Sequence, residues 1–446
     1  MGVPAKRWKD EGERWFYVTL LSNFSRAFDK YSRAYSKNFI PDSTFPDRFF
    51  LLKEHELSIG IEKAARLLEK NGRSDDRLIA LETRFPDEAL FPNTRTGRGH
   101  FIPRNFITVE TLHRIGRGGM KTLWNLEEAY AASLKLNSPL LKNYADLQPR
   151  SLSILPIALA CDAACPFCFS KASVSYEQET RKMDLARTRS VLEAGKARGA
   201  ERAVITGGGE PGKLPFSRLL DLVKECSRVY PKVILITNGS FLSKKNEAER
   251  KESLQKLAEA GLTVLAVSRH HASGEVNEKL MHLPHDVERT VKTWATHRSS
   301  LPNLKMRAIC VLQKGGVDSL EALENYLTWA AAHQIPEICF KELYVSTSQE
   351  SVYYSQAANK WSRLHQVSLK LILDFAQTRG WKEIERLPWG ARIFEGAWEG
   401  APLRIAAYTE PSLFWERRHG IARSWNLMAD GRCLASLEDR NSEIIL

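Results

Sequence analysis

The sequence ILPIALACDAACPFCFSK, residues 154–171, joins an apolar strand to a loop that contains three cysteines. These cysteines, Cys161, Cys165 and Cys168, have the spacing C-x3-C-x2-C. Three thiolates at this spacing can bind three irons of one 4Fe-4S cubane and leave the fourth iron without a protein ligand. The stretch therefore predicts a β-strand followed by a cluster-binding loop with one open iron.

Two other uses of the cysteines fit the sequence less well. A structural zinc site needs four ligands, and no second Cys or His pair follows at a matching spacing. A disulfide framework is disfavoured because the loop has an odd number of cysteines, the chain has only 7, and we expect no secretory signal. The spacing favours an iron–sulfur cluster over both.

The same residues resemble the signature of the radical S-adenosylmethionine (SAM) superfamily, C-x3-C-x-aromatic-C, with Phe167 as the aromatic residue. This resemblance implies that SAM binds the open iron through its amino and carboxylate groups. One electron then cleaves SAM to methionine and a 5′-deoxyadenosyl radical, which abstracts hydrogen from a substrate. It also implies an electron donor, such as a flavodoxin or a ferredoxin.

Apolar runs alternate with amphipathic segments from residue 151, which is typical of repeated βα units and a parallel sheet. Strands are predicted at 152–159, 202–206, 232–237, 263–268, 305–312 and 337–344. Helices are predicted at 182–199, 214–229, 246–260, 285–298, 317–333 and 357–378. The predicted fold class is α/β, a six-stranded partial (open) TIM-type βα barrel over residues 151–345.

Two further regions flank the predicted barrel. Residues 1–150 contain no cysteine and predict a helical N-terminal extension, with helical apolar spacing at 17–35, 59–68 and 123–136. Residues 346–446 predict a helix and then a small β-rich, α+β cap. Asp430-Gly431, between apolar runs, is a hairpin turn signal in that cap.

Polar and glycine residues follow the predicted strands, at the end where βα barrels collect reactive groups. After the second strand, Gly208-Gly209-Glu210 resembles the GGE motif of the superfamily, whose carboxylate can pair with the ammonium group of SAM. Thr237-Asn238-Gly239 resembles its TNG segment. The resemblance implies these cofactor-binding residues: Phe167, Gly208, Gly209, Glu210, Asn238, Ser268 and Tyr344.

The fifth and sixth strands resemble those of the GTP cyclase of molybdenum-cofactor biosynthesis and of related peptide-modifying (SPASM-related) enzymes. With His270 from the fourth strand, this resemblance predicts a substrate pocket of His270, Arg307 and Glu342. An Arg307–Glu342 pair that only stabilises the barrel is the alternative. Only Cys433 lies beyond residue 340, so we expect no second cluster.

Composition limits the remaining function classes. No apolar run reaches the ~18–20 residues that span a bilayer, so we expect a cytoplasmic protein without a membrane partner. The net charge of +12 favours anionic partners, but acidic residues are interspersed, so nucleic acid is possible but not favoured. We favour an enzyme that modifies a small metabolite or a peptide. An RNA-modifying radical SAM enzyme and a non-catalytic iron–sulfur sensor stay open.

Overall fold

The computed structural model describes residues 88–92, 99–103, 141–179, 182–283, 287–346, 351–411 and 413–446. The chain divides into two units, residues 1–135 and 136–446. In the first unit, β1 (Glu88–Pro92) and β2 (Gly99–Pro103) form an antiparallel pair. The helices predicted at 17–35, 59–68 and 123–136 lie outside the described residues, so the helical N-terminal extension stays a prediction.

Six parallel strands form the centre of the second unit, each within a predicted strand. They are β4 (Leu152–Leu155), β5 (Ala203–Ile205), β6 (Val233–Thr237), β7 (Val264–Ser268), β8 (Lys305–Leu312) and β9 (Glu337–Glu342). Each pairs with the next in chain order. Strand β4 is shorter than predicted because Pro156, directly after it, has no N–H to donate to a neighbouring strand. The carboxyl ends of the six strands therefore meet at one edge.

Helices connect these strands, as the alternating pattern predicts. They are α1 (Leu185–Ala197), α2 (Phe216–Val229), α3 (Ser240–Ser243), α4 (Glu247–Glu259), α5 (Gly274–Met281), α6 (Glu288–His297) and α7 (Leu320–Ala332). Side-chain caps define several starts: Asp184 accepts from the first turn of α1, and Asn246 and Glu249 form a capping box on α4. The helix predicted at 357–378 is instead two helices, α8 (Ala357–His365) and α9 (Lys370–Thr378), because Gln366 between them makes a β-bridge to Gln313.

The predicted cap differs most from the structure. The later strands are β10 (Lys382–Arg386), β11 (Arg392–Trp398), β12 (Ala401–Tyr408), β14 (Trp425–Met428) and β15 (Cys433–Leu434), and α10 (Leu413–His419) lies among them. They extend the central sheet at both edges instead of forming a separate cap. β12 pairs parallel with β9, and β14 pairs parallel with β4. In the described residues the sheet has 11 strands, in the order β10-β11-β12-β9-β8-β7-β6-β5-β4-β14-β15.

The Asp430-Gly431 turn connects β14 to β15 as an antiparallel pair, as its sequence predicts. A short parallel pair, β3 (Gln148–Pro149) with β13 (Ile421–Ala422), joins residues before the barrel to the C-terminal region. The alternation along a strand does not reveal the pairing partner of that strand.

Apolar side chains form one cluster on each face of the sheet. The large core packs the helices against one face, with Leu219, Leu257 and Leu327 fully buried in it. A small cluster on the other face includes Val204, Ile234, Val264, Ala266 and Ile309. No helix among the described residues combines the length and apolar character required to cross a bilayer.

Candidate active site

The three cysteines lie on the cysteine loop, residues 156–169, which follows β4. All three are free and partly exposed. The amide of Ala163 donates to Cys161 Sγ at 3.4 Å, and Cys165 Sγ lies 3.6 Å from the carbonyl oxygen of Met281. Burial, together with the neighbouring Cys168 and Cys161, raises the pKa of Cys165 to about 12. The sulfurs are thus close enough to influence one another, and bound metal is what would favour their thiolate forms.

The number of cysteines in the loop bears on which metal group they could bind. Among the described residues, no three His, Cys, Asp or Glu side chains converge as a single-ion site requires. In a cubane each cysteine binds a different iron, so three cluster ligands need not converge on one point. Three cysteines on one loop are a donor set that fits a 4Fe-4S cluster.

A glycine turn, Gly207–Gly209, holds the cysteine loop in place. Gly208 has φ +71°, and a Cβ there would overlap the carbonyl oxygen of Ile157. A Cβ at Gly209 would overlap the carbonyl oxygen of Ala160. Gly209 N donates to Ile157 O at 2.9 Å, and Glu210 N donates to Ala160 O at 2.8 Å. Glycine is needed here because two backbones touch directly.

Glu210 is 4% exposed, and its carboxylate joins two neighbouring strand ends. Oε1 accepts from Gly212 N at 2.9 Å and from the Thr237 hydroxyl at 2.5 Å, and Oε2 accepts from Asn238 N at 2.8 Å. Burial raises the pKa of Glu210, although these hydrogen bonds oppose the shift. The side chain thus fixes the turn after β5 to the turn after β6.

Asp162 is a site residue that the sequence analysis missed. It accepts hydrogen bonds from Asn238 Nδ2 (3.0 Å), Ser240 Oγ (2.7 Å) and Lys244 Nζ (2.9 Å). Burial opposes ionisation, but these bonds hold the pKa of Asp162 well below its ordinary value. Its signal in the sequence is the carboxylate beside Cys161 in a loop with no other charged residue. Asn238, predicted to bind cofactor, is therefore oriented by Asp162.

Ser268 ends β7, and His270 follows it at the predicted edge. His270 is 3% exposed; its Nδ1 accepts from Val311 N at 3.0 Å, and its own amide donates to Asn277 Oδ1 at 2.7 Å. Burial lowers the pKa of His270 to about 3, so the ring is neutral. Phe167 of the cysteine loop meets this ring edge to face, with centroids 5.3 Å apart. His270 thus lies against the cysteine loop.

The structure does not bring Arg307 together with His270 and Glu342. Arg307 is the third residue of β8, and its Nε and Nη2 donate to Glu337 Oε2 at 2.9 and 2.5 Å. Glu337 begins β9, whereas Glu342 ends it. The register of the two strands pairs Arg307 with Glu337 and Leu312 with Glu342. The partner of Arg307 is consequently Glu337, not Glu342.

Glu342 and Tyr344 lie at the carboxyl end of β9, as predicted. Thr409, directly after β12, donates to Glu342 Oε2 at 3.1 Å. The Tyr344 hydroxyl donates to Glu438, and its ring meets Phe169 of the cysteine loop, with centroids 5.6 Å apart. Tyr344 therefore connects the cysteine loop to the C-terminal strands.

Beside Phe169 and Tyr344 lies a polar cavity that the sequence analysis did not anticipate. Three carboxylates line it: Glu416 and Glu438 are buried residues, and the side chain of Glu410 is 8% exposed. The other lining residues are Phe169, Tyr344, Pro411, Arg423, Ser424, Asn426, Ala435, Ser436 and Leu437. In the sequence, each carboxylate lies in the region interpreted as a separate cap, so nothing associated it with the strand ends.

One family model and several solved structures are similar to parts of this chain. Residues 155–323 match the family model described as the radical SAM superfamily. Among solved structures, SuiB of Streptococcus suis bound to S-adenosylmethionine is similar at 18% identity and a TM-score of 0.44. That alignment covers 71% of this chain and 65% of SuiB, so it spans less than two thirds of the SuiB chain.

Two further structures are similar over shorter stretches. A radical SAM methyltransferase from Sphaerobacter thermophilus is 16% identical, with a TM-score of 0.35, over 53% of this chain and 64% of that one. Methylornithine synthase (PylB) is 12% identical, with a TM-score of 0.37, over 58% of this chain and 68% of that one. No curated protein sequence matches the chain significantly.

Proposed function

We propose that this radical SAM enzyme, whose cofactors are a 4Fe-4S cluster and SAM, abstracts hydrogen from a small metabolite or a peptide. When bound, the two cofactors supply a 5′-deoxyadenosyl radical, and the chain supplies binding and orientation. The observation that carries the proposal is the cysteine loop. The loop carries three free cysteines, and its backbone at Ile157 and Ala160 sits against a glycine turn at the carboxyl ends of the parallel strands.

Cys161, Cys165 and Cys168 would hold the cluster. The loop that carries them is fixed by backbone hydrogen bonds from the glycine turn and by Ala164 N, which donates to Met281 O at 3.0 Å. A loop fixed from two sides holds its ligands in position before metal binds, which lowers the entropic cost of binding. The partial exposure of the sulfurs suits electron delivery from an external donor, such as a flavodoxin or a ferredoxin.

We assign SAM binding to residues around this loop. Glu210 has accepted three hydrogen bonds, and a carboxylate has about four acceptor positions, so one remains for the SAM ammonium group. Asp162 orients Asn238, and His270 supports the ring of Phe167. The complete proposed set is Phe167, Gly208, Gly209, Glu210, Asn238, Ser268 and Tyr344.

The substrate pocket is proposed between His270, Glu342 and the polar cavity, without Arg307. His270 is neutral and already accepts at Nδ1, so its Nε2 carries the proton and can only donate. Glu342 and the cavity carboxylates supply acceptors on the opposite side. A polar pocket of this kind suits a small polar metabolite or a peptide end group.

The finer resemblance to the molybdenum-cofactor cyclase and to the SPASM-related branch rests on β8 and β9 alone. We propose that this chain is without a second cluster. Its four other cysteines lie on four different elements: Cys226 on α2, Cys310 on β8, Cys339 on β9 and Cys433 on β15. Each sits within a packed element, where a cysteine behaves as a small apolar residue.

Anaerobic reconstitution tests the proposal directly. The wild-type protein should bind about four irons per chain and release 5′-deoxyadenosine from SAM after reduction. The triple variant Cys161→Ala, Cys165→Ala, Cys168→Ala should lose both. Cys339→Ala, which removes a cysteine within β9, is the matched control and should keep both. Full cluster iron in the triple variant would contradict the assignment.

A further inference from the structure

Two glutamines lie side by side near the carboxyl ends of β8 and β9. Gln313 directly follows β8, and Gln366, between α8 and α9, lies opposite Gln313 in an antiparallel bridge. Residues that lie opposite each other in such a pair share one face, with their Cβ atoms about 4.5–5.5 Å apart. The two side-chain amides are therefore neighbours, at the edge of the sheet that carries the cysteine loop.

Both amide groups are buried, and backbone carbonyls fix their orientation. Gln313 is fully buried, and Gln366 is 7% exposed. Gln313 Nε2 donates to Val311 O at 3.4 Å, and Gln366 Nε2 donates to Leu343 O at 3.0 Å. Since a carbonyl can only accept, each Nε2 must face its carbonyl, which turns the Oε1 atom away from it. Neither Oε1 receives a hydrogen bond from any residue that the structure describes.

The glutamine pair adjoins both residues of the proposed substrate pocket, His270 and Glu342. Val311, whose carbonyl accepts from the first glutamine, donates through its own amide to His270 Nδ1 at 3.0 Å. Leu343, whose carbonyl accepts from the second glutamine, directly follows Glu342. The two unpartnered oxygens therefore belong to the region of that pocket.

Aromatic rings connect the same pair to the cysteine loop. Phe167 of the loop lies between the rings of His270 and Trp361, with centroid distances of 5.3 and 5.8 Å. His365, which directly precedes Gln366, stacks on Trp361 with centroids 3.8 Å apart. The glutamine pair thus contacts the surroundings of the loop through His270 and, independently, through Trp361.

The chemistry of the two oxygens indicates what they bind. Buried acceptors without donors are costly, so two of them side by side favour a ligand group that donates more than one hydrogen bond. Neither amide carries a charge, so the pair suits a neutral donor, which avoids the desolvation cost of an ion. The NH₂ group of a primary carboxamide is neutral and donates two hydrogen bonds.

We propose that Gln313 and Gln366 bind the NH₂ group of a primary carboxamide in the substrate, each through its Oε1 atom. The inference rests on the proposed function, because it names the chemical group that the proposed substrate pocket recognises. Both glutamines are substrate-binding residues here, and neither holds the cluster or SAM.

Acetamide is the simplest probe, and acetone is its matched comparison, because a methyl group replaces the NH₂ group. Their dissociation constants for the reconstituted, SAM-bound enzyme can be measured by NMR titration. The wild type should bind acetamide about tenfold or more tightly than acetone, because only acetamide can donate to the two oxygens. This comparison needs no variant to fold.

Gln313→Met and Gln366→Met keep the length of the side chain and remove the Oε1 acceptor. Each substitution should weaken acetamide binding about tenfold and leave acetone binding unchanged. Gln377→Met, at an exposed position on α9, is the matched control and should bind both probes as the wild type does. Thermal unfolding checks that each variant is folded.

Three outcomes would overturn the inference: no acetamide binding by the wild type, acetone bound as tightly as acetamide, or acetamide bound by both folded glutamine variants as by the wild type. The first of these would indicate that a buried water satisfies the two oxygens.

Two further outcomes would assign the oxygens to another ligand and would also overturn the inference. Methylammonium bound more tightly than acetamide would indicate a cation site. A loss of SAM affinity in both glutamine variants would indicate that the adenine amino group of SAM is the donor. Failure of the proposed function is distinguishable, since it would appear as missing cluster iron or missing 5′-deoxyadenosine in the wild type regardless of acetamide binding.

Discussion

Charged side chains have different kinds of partner at the two ends of the parallel strands. At the amino end, Arg307 and Glu337 satisfy each other on adjacent strands. At the carboxyl end, Glu210 accepts three hydrogen bonds from the turns beside the cysteine loop. The same sheet therefore uses a charged pair between two strands at one end and a single carboxylate that aligns two turns beside the cysteine loop at the other. Substitutions at each end should separate these two uses.

The largest effect is expected for Glu210→Ala at the carboxyl end. This substitution leaves the Thr237 hydroxyl and the amides of Gly212 and Asn238 without their acceptor. Each buried donor left unsatisfied costs about 1–3 kcal/mol, so the free energy of unfolding should fall by about 3 kcal/mol or more. SAM affinity should also fall about ten- to a hundredfold.

Chemical denaturation and equilibrium SAM binding measure these two effects. Glu385→Ala removes a carboxylate of the same charge from the exposed face of β10 and should change neither. Unchanged SAM affinity in a folded Glu210→Ala protein would show that the carboxylate only aligns the two turns.

A smaller effect, on stability alone, is expected for Arg307→Ala at the amino end. The side chains of Arg307 and Glu337 are 24% and 14% exposed, so the substitution leaves a largely buried carboxylate without its main partner. The free energy of unfolding should fall by about 2 kcal/mol, whereas SAM cleavage by the reconstituted enzyme should not change.

The double variant Arg307→Ala, Glu337→Ala sharpens this test. Removing the Glu337 carboxylate, which Arg307→Ala leaves without its partner, should recover part of the lost stability, because most of the cost lies in the unpaired charge. A collapse of SAM cleavage in a stable Arg307→Ala protein would instead connect the amino end to the reaction.

The smallest effect concerns Glu416 and pH. Burial raises its pKa from the ordinary 4.5 to about 8, so the folded protein holds this proton over a pH range in which the unfolded chain releases it. The contribution of Glu416 to stability is therefore largest below pH 4.5 and is lost as the pH rises to 8. Glu416→Gln should lose less stability between pH 5 and pH 8 than the wild type does.

Thermal unfolding of both proteins across this pH range measures the difference. The contribution of Glu410 to stability should have the opposite pH dependence. Its pKa is lowered to about 2, so its contribution is lost as the pH falls from 4.5 toward 2. Identical pH profiles for Glu416→Gln and the wild type would mean that Glu416 is not held protonated.

Local patterns in the sequence predicted most of the barrel. The periodicity predicted the six central strands and the helices between them, since it reports which residues face a core. The cysteine spacing and the glycines also placed the cysteine loop beside the turn after β5. These features are readable because each depends on residues that are close in the sequence.

Features that depend on distant residues were not predicted. The pairing of β14 with β4 joins Trp425 to Leu152, and no local signal encodes that choice. Which residue lies opposite Arg307 depends on the register between β8 and β9, which pairs it with Glu337. Glu416 and Glu438 reach the strand ends only because β12 and β14 join the sheet. The polar cavity therefore could not be predicted from the sequence, because it forms only where these distant strands pair.

The pairing of β4 with β14 has a consequence for the order of assembly. Ser153 and Ser424, whose hydroxyls lie 2.7 Å apart across this pair, are separated by 271 positions in the chain. Contacts of such high sequence separation form late, and during synthesis one edge of β4 stays open until β14 has left the ribosome. The cysteine loop follows directly from that open strand, so the delivery of iron and sulfur is a step that should come after translation of the barrel.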